Sequence, residues 1–172
     1  MPASGHNVEL ISTRDIAQFL PLMKELADDF GDRFLVSMLH WCGIGNRTKP
    51  LPSWEVFLLG PDHGILGVGG LYRLPETPAN HVWLGWFGIR PAFRRRGYGT
   101  AAMSAIVNRA RSMDYNELWV YTGSSDEVAR SFYTKLGFEL LGSARDYAPE
   151  QTMDGSDIVL KLRLDVSGTI KE

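Results

Sequence analysis

Arg94-Arg95-Arg96-Gly97-Tyr98-Gly99-Thr100 joins the end of an apolar run to the start of an amphipathic one, and such a junction suits phosphate binding. Val82-Trp83-Leu84-Gly85-Trp86-Phe87-Gly88-Ile89 reads as a buried strand. From Thr100 to Met113, Ala102, Ile106, Ala110 and Met113 recur at helical spacing. The glycines therefore fall at a helix N-terminus, where the first N–H groups have no partner within the helix and the macrodipole is positive. A diphosphate can accept several of those amides at once, and glycine at 97 and 99 keeps a Cβ from standing in between. Arg94, Arg95 and Arg96 add charge that phosphate oxygens can share.

Positioning that junction takes a whole scaffold, and 172 residues suffice for a single domain over 1–172, with a core of about 8–164 and a short polar tail at 165–172. A chain of this size buries about two-thirds of the surface its unfolded form exposes, so neither a metal nor a disulfide is needed to hold it. Hydrophobic residues make up 44% and charged residues 22%, and a net charge of −2 gives no reason to expect nucleic acid. The basic cluster is local and suited to a small polyanion. Cys42, the single cysteine, excludes an intrachain disulfide and a cysteine-based metal site, so it reads as an apolar filler in a reducing compartment. Met1 to His6 lacks the features of a signal peptide. The longest apolar stretch, Ile65 to Tyr72, is too short to cross a bilayer, so a cytoplasmic chain with no membrane partner is expected.

Val8 to Ile11 reads as a first strand, followed by a helix start at Ser12 with Asp15. A stripe of Ile16, Phe19, Leu20, Met23, Leu26, Ala27 and Phe30 follows, interrupted at Pro21. A second helix is expected over Arg33 to Trp41, then a loop over Gly43 to Pro52. Trp54 to Leu59 and Ile65 to Tyr72 read as a hairpin about Gly60 to Gly64. After the long strand and the glycine helix come a strand at Leu118 to Tyr121 and a helix over about Ser125 to Leu136. Ser124 and Glu127 make a capping box there. Val128, Ala129, Phe132, Tyr133 and Leu136 form its apolar face, and Gly137 suits a left-handed C-terminal cap. Phe138 to Leu141 and Ile158 to Leu164 close the order β-α-α-β-β-β-α-β-α-β-β.

Two motifs in this order resemble those of the GNAT superfamily of acetyl-CoA-dependent N-acetyltransferases, over Val8 to Leu164. Arg94-x-x-Gly97-x-Gly99 matches the family's phosphate-binding pattern, and it follows a strand and a link containing Pro91. Ala129-x-x-Phe132-Tyr133-x-Lys135-Leu136-Gly137-Phe138 is similar to its second signature, with Leu118-Trp119-Val120-Tyr121 between the two. The resemblance implies an α/β fold of α+β type: a mixed, mostly antiparallel central sheet of six to seven strands flanked by about four helices. It also implies acetyl-CoA as co-substrate. The strands on either side of the glycine helix would splay, with the acetyl-pantetheine arm along the backbone of Phe87, Gly88 and Ile89. The main chain of Arg95 to Thr100, Tyr98 included, would hold the pyrophosphate. Gly85 and Gly88 inside a strand also suggest a bulge or a close backbone approach, or packing beneath Trp83 or Trp86.

By the same resemblance Tyr133 protonates the departing CoA thiolate. A phenol of pKa ~10 stays protonated at neutral pH and can do so; the alternative is a ring that fills the helix's apolar face. Where the family often has an Asn to hold the cofactor arm, this chain has Asp126, which accepts but does not donate and also reads as a helix-start anion. The Glu that some relatives carry on the long strand is replaced by Trp83. His81, Glu76, Tyr121, His40 and water remain candidate bases. Trp41, Trp54, Trp83, Trp86 and Trp119 read first as core aromatics. Trp83 and Trp86, three apart, face opposite ways unless a bulge intervenes, and one of them is a candidate for the acceptor pocket.

The expected reaction is direct acetyl transfer in a ternary complex to a primary amine of a small molecule or peptide. Nothing in the sequence selects the acceptor, and dimerisation is common in such folds without a feature here that establishes it. A non-catalytic acyl-CoA binder is the first alternative. Gly97-x-Gly99-x-x-Ala102 also fits a dinucleotide fingerprint, but seven residues separate it from its strand and the acidic residue expected at the end of the next strand is missing.

Overall fold

A computed structural model describes residues 8–13, 24–32, 36, 53–60, 64–147 and 156–164. They include seven strands, and the chain divides into two compact units, one of Met1–Thr77 and Leu84–Arg109 and one of Pro78–Trp83 and Ala110–Glu172. Four of the five pairings with a known register are antiparallel, and helices accompany the strands, the mixed α+β architecture the sequence implied.

In the first unit β1 (Glu9–Thr13) pairs antiparallel with β2 (Ser53–Gly60), from Glu9↔Gly60 to Thr13↔Val56, and β2 with β3 (Gly67–Arg73), from Ser53↔Arg73 to Leu59↔Gly67. The strand next to β3 is β4 (His81–Ile89). Helix α1 covers 24–30, a 3-10 turn covers Pro91–Phe93, and α2 runs Tyr98–Ser112. Gly67 to Tyr72 is buried throughout, without the alternation of a half-exposed strand, because both faces of β3 are covered. A Cβ on Gly69 would lie 2.8 Å from Ile106 Cδ1, so a side chain there would have to displace the end of Ile106, and glycine leaves α2 that space against β3. Ala102, Met103, Ile106 and Val107 are fully buried, a wider face than the expected stripe.

Among the described residues of this unit Glu55 is the buried charged one, only 3% exposed. Arg109 grips it with both arms of its guanidinium, Nε donating to Oε2 at 3.1 Å and a terminal nitrogen to Oε1 at 3.0 Å, and the Ser12 hydroxyl also donates to Oε1. Burying a carboxylate costs several kcal/mol, of order, and a bidentate partner with a second donor offsets it. Ser12, read as a helix start, therefore sits in β1 as a ligand of Glu55.

In the second unit the order is β4-β5-β7-β6. The first residues of β4 run parallel to β5 (Glu117–Gly123) over three pairs, His81↔Glu117, Val82↔Leu118 and Trp83↔Trp119. β7 (Asp157–Arg163) is antiparallel to β5, from Glu117↔Arg163 to Gly123↔Asp157. β6 (Glu139–Ser143) flanks β7, with a bulge between Leu140 and Gly142. The last strand is thus inserted between two earlier ones. Helix α3 (Glu127–Lys135) precedes β6, and a short α4 (Ala144–Tyr147), absent from the sequence reading, follows it.

Most element boundaries agree with the expectation to within about two residues, the usual scatter. The stretch 14–23, with the expected break at Pro21, lies outside the described residues. So do most of the second helix, the 43–52 loop with Cys42 beside it, the tip of the hairpin and the tail. Asp32 and Val36 are helical. Among the described residues no helix is long and apolar enough to cross a membrane.

Glu117 ties the start of β5 to its neighbours. Its Oε2 accepts the Trp119 indole N–H at 2.7 Å and lies 3.5 Å from His81 Nε2, while Lys161 Nζ donates to Oε1 at 3.3 Å. Burial pushes the carboxyl up, but the indole hydrogen bond, His81 and Lys161 together outweigh it, so the pKa is lowered. A depressed folded pKa contributes stability above the unfolded value, which is lost as pH falls through the folded one. Glu117→Gln should therefore cost about 1–2 kcal/mol at pH 7. The gap to wild type should close as pH drops below the ordinary value of 4.5. Urea titrations across pH read this directly, and an equal gap at every pH would contradict the linkage.

Candidate active site

The chain leaves β4 at Ile89 and turns through Arg90 and the 3-10 helix, which prepares the glycine junction. Arg90 N donates to Leu66 O at 2.8 Å, and Phe93 N donates back to Arg90 O at 2.9 Å. The Arg90 guanidinium binds Asp29 and, at 3.1 Å, Glu25, both on α1. The Asp29 hydrogen bond, opposed by burial and helped by Glu25, raises the Arg90 pKa further, so this residue is a fixed cation at the strand's end.

Two residues then adopt left-handed backbone, Arg95 at φ 61° and Gly97 at φ 86°. Ala101 N donates to Gly97 O at 3.1 Å, so Gly97 supplies the first carbonyl of the α2 ladder and the amides of the first turn point out of its end. Arg94 to Gly97 and Thr100 are exposed. That is a fit for a polyanion: outward amides, a positive dipole end and accessible guanidinium groups. The three arginines are not equivalent, because Arg94 Nε donates to Ile89 O at 2.7 Å and so braces the loop against the strand. Tyr98 places its ring edge-on against Phe93, with centroids 6.2 Å apart, so its main chain is the part that belongs to the helix start. Gly99 lies within the first turn of α2 and, unlike Gly97, does not take positive φ.

The irregularity expected in β4 falls on Trp86, between the two glycines, at φ 50°. A large non-glycine residue there costs of order 1–3 kcal/mol, and it interrupts the alternation of the strand. Trp83 is 1% exposed whereas Trp86 is half-buried. Gly88 proves to be a packing glycine beneath Phe30: a Cβ on it would lie 2.4 Å from Phe30 Cε1. A Cβ on Gly67 would lie 2.2 Å from Gly88 O, so the β3 backbone also closes on this point. The Phe87 ring reaches Gly69, with Cδ2 3.5 Å from the position of a Cβ there.

In the second unit Tyr133 is the buried residue of α3, 6% exposed, with Phe132 and Phe138 ring centroids 5.5 and 5.2 Å away. Its carbonyl accepts Phe138 N at 3.1 Å while Gly137, at φ 91°, donates to Thr134 O at 3.0 Å. These are the two bonds of a Schellman cap, and they fix the turn that carries the tyrosine. Burial, and secondarily the charge of Asp126, pushes the phenol well above the ordinary tyrosine range, so it is protonated at neutral pH. The helix start corrects the sequence reading. Asp126, not Ser124, is the N-cap, its Oδ1 accepting Ala129 N at 2.9 Å, and Val128 is 80% exposed instead of facing the core. Asp126 is exposed and engaged as a helix-start anion.

Of the candidate bases, His81 lies beside Glu117 and stacks obliquely on Trp119 at 4.7 Å. Tyr121 is held protonated by burial and then by Asp157, which makes it a poor base, and Glu76 is exposed. His40 and Trp41 lie outside the described residues. Trp119 is the centre of an aromatic cluster, edge-on to Trp83 at 5.3 Å and to Tyr147 at 5.5 Å. Sequence reasoning missed Glu55–Arg109, the Arg90 clamp and the Glu117 cluster. The one signal for the first was a carboxylate inside the apolar run Trp54 to Leu59.

The two glycines should respond oppositely to alanine. Gly97→Ala forces a Cβ into left-handed backbone and should cost about 1–2 kcal/mol, whereas Gly99→Ala, inside a helix, should be neutral or stabilising by up to about 1 kcal/mol. Thermal denaturation distinguishes them, and the reverse order would contradict this geometry.

Known proteins bear on the same residues. The profile of the Acetyltransferase (GNAT) family matches residues 22–138. The N-acetyltransferase YycN of Bacillus subtilis is 29% identical over 95 residues, covering 55% of this chain and 60% of that one. The ribosomal protein bS18-alanine N-acetyltransferase of Haemophilus ducreyi is 26% identical over 78 residues, covering 45% and 54%. The chain thus spans a little over half the length of these relatives. A GNAT family acetyltransferase of Elizabethkingia anophelis, solved with acetyl-CoA bound, superposes with a TM-score of 0.60 at 19% identity, over 91% of this chain and 98% of that one, a likeness of fold. With two motifs in order and a family match over most of its length, this chain belongs to the acetyltransferase (GNAT) family.

Proposed function

We propose that the protein is an N-acetyltransferase that takes acetyl-CoA as co-substrate and passes the acetyl group to a primary amine of a small molecule or peptide. The observation that carries this reading is the left-handed turn at Arg95 and Gly97, which aims the first-turn amides of α2 outward behind an arginine-rich loop. Arg95 and Arg96 add charge to the pyrophosphate site formed by the amides of Arg95 to Thr100, and Arg94 holds the loop to Ile89. The backbone of Phe87, Gly88 and Ile89 receives the acetyl-pantetheine arm and polarises the thioester carbonyl. Asp126 serves α3 as its cap and supports the cofactor site by fixing that helix start.

The amine, having released a proton to water, attacks the thioester carbon and forms the C–N bond. The tetrahedral intermediate loses its second N–H proton to water and collapses, the C–S bond breaks, and the Tyr133 hydroxyl gives its proton to the leaving thiolate; the proton taken from nitrogen, returned through water, restores the phenol. Burial keeps the Tyr133 phenol protonated at neutral pH, so a proton is at hand when the thiolate leaves. Tyr121, also held protonated, does not act as the base. An α-amino group, with a pKa near ~8, needs less help than a lysine-like amine at ~10.4, which favours a peptide N-terminus or an amino acid among the acceptors. A relative that acts on a ribosomal-protein alanine is consistent with that preference.

A thiol-release assay with acetyl-CoA and a panel of N-terminal peptides, amino acids and polyamines tests the reading. Tyr133→Phe should lower turnover about 100-fold while acetyl-CoA affinity stays within about threefold. Unchanged turnover would remove Tyr133 from the mechanism, and no thiol release with any amine would favour a non-catalytic binder.

A further inference from the structure

We infer that Phe30 is the wall that limits the acyl group to acetyl, an inference that rests on the proposed seating of the thioester along Phe87 to Ile89. Three Phe30 ring atoms would lie within 3.1 Å of a Cβ on Gly88, so the ring is packed directly onto the middle residue of that segment. The β3 backbone also comes close here, since a Cβ on Gly67 would lie 2.2 Å from Gly88 O. A thioester whose carbonyl is polarised by this stretch of main chain has its acyl carbons beside the residue that the ring covers, where van der Waals contact with the ring limits their number.

The ring is also held in place. Phe30 is the last residue of α1, and Gly31, at φ 85°, ends the helix with its N–H on Ala27 O at 2.7 Å. The neighbouring Asp29 and, one turn earlier, Glu25 both bind Arg90, the residue immediately after β4. Arg90 is itself fixed by its main-chain bond to Leu66. The helix end that presents the ring and the strand end beneath it are therefore tied through one guanidinium. A wall fixed in this way cannot give way to extra methylenes without loss of binding. Selectivity of this kind is worth about 10–100-fold for one or two methylenes.

Calorimetric titration with CoA, acetyl-CoA, propionyl-CoA and butyryl-CoA tests this without an acceptor. Wild type should bind butyryl-CoA about 10–100-fold more weakly than acetyl-CoA. Phe30→Ala should narrow that ratio to within about threefold by binding butyryl-CoA more tightly, with the Kd for CoA unchanged, and the conservative Phe30→Leu should fall between. Equal ratios in wild type and both variants, with CoA binding intact, would overturn the role of Phe30, as would a wild type that does not discriminate among chain lengths. Failure of wild type to bind CoA at all would instead overturn the seating on which the inference rests.

Discussion

An α-helix leaves its first amide protons without carbonyl partners of its own, and this chain builds a way to present them. Gly97 contributes the first carbonyl of α2 from a left-handed conformation, and Arg95 turns the approach in the same sense. Much of the first unit serves to hold that helix start. α2 is pressed onto β3 where Gly69 yields space to Ile106, and it is tethered to β1 and β2 by Arg109 on buried Glu55. Upstream, Arg90 and Arg94 anchor the connecting loop, one to α1 and the other to the last carbonyl of β4.

The strand that feeds this loop departs from regular geometry where chemistry is proposed. Trp86 carries a conformation that is costly for its size, Gly88 has no room for a side chain, and the parallel pairing of β4 with β5 covers only the three residues up to Trp83. The distortion bends the strand at the segment along which the thioester is proposed to lie. In the second unit the corresponding care is taken around Tyr133, whose turn is closed by a Schellman cap and whose hydroxyl is kept protonated by burial.

What the sequence made legible was local. The glycine junction, the helix that follows it and the Gly137 cap are written in consecutive residues, because positive φ and helical periodicity have strong short-range signatures. Ser124 with Glu127 has the form of a capping box although Asp126 caps α3, since acceptors two residues apart compete for the same amides and only packing decides between them. The partners that join distant segments left no trace: Arg90 and Asp29 are 61 residues apart, Arg109 and Glu55 54 apart. Nor did the insertion of β7 between β5 and β6, because strand order depends on which edges remain open once the earlier strands have paired. Phe30 appeared as one more apolar residue on a helical stripe; that it faces Gly88 is a fact of tertiary packing alone.

The central claim is that the outward amides of α2 hold the pyrophosphate of acetyl-CoA. Its most direct test compares, by calorimetry on the intact protein, acetyl-CoA with S-acetylpantetheine, which carries the same thioester arm and no pyrophosphate. Two or more charge-assisted hydrogen bonds should make acetyl-CoA at least about 100-fold the tighter ligand. Equal affinity for the two would mean that the helix start contributes nothing to binding, and would contradict the claim.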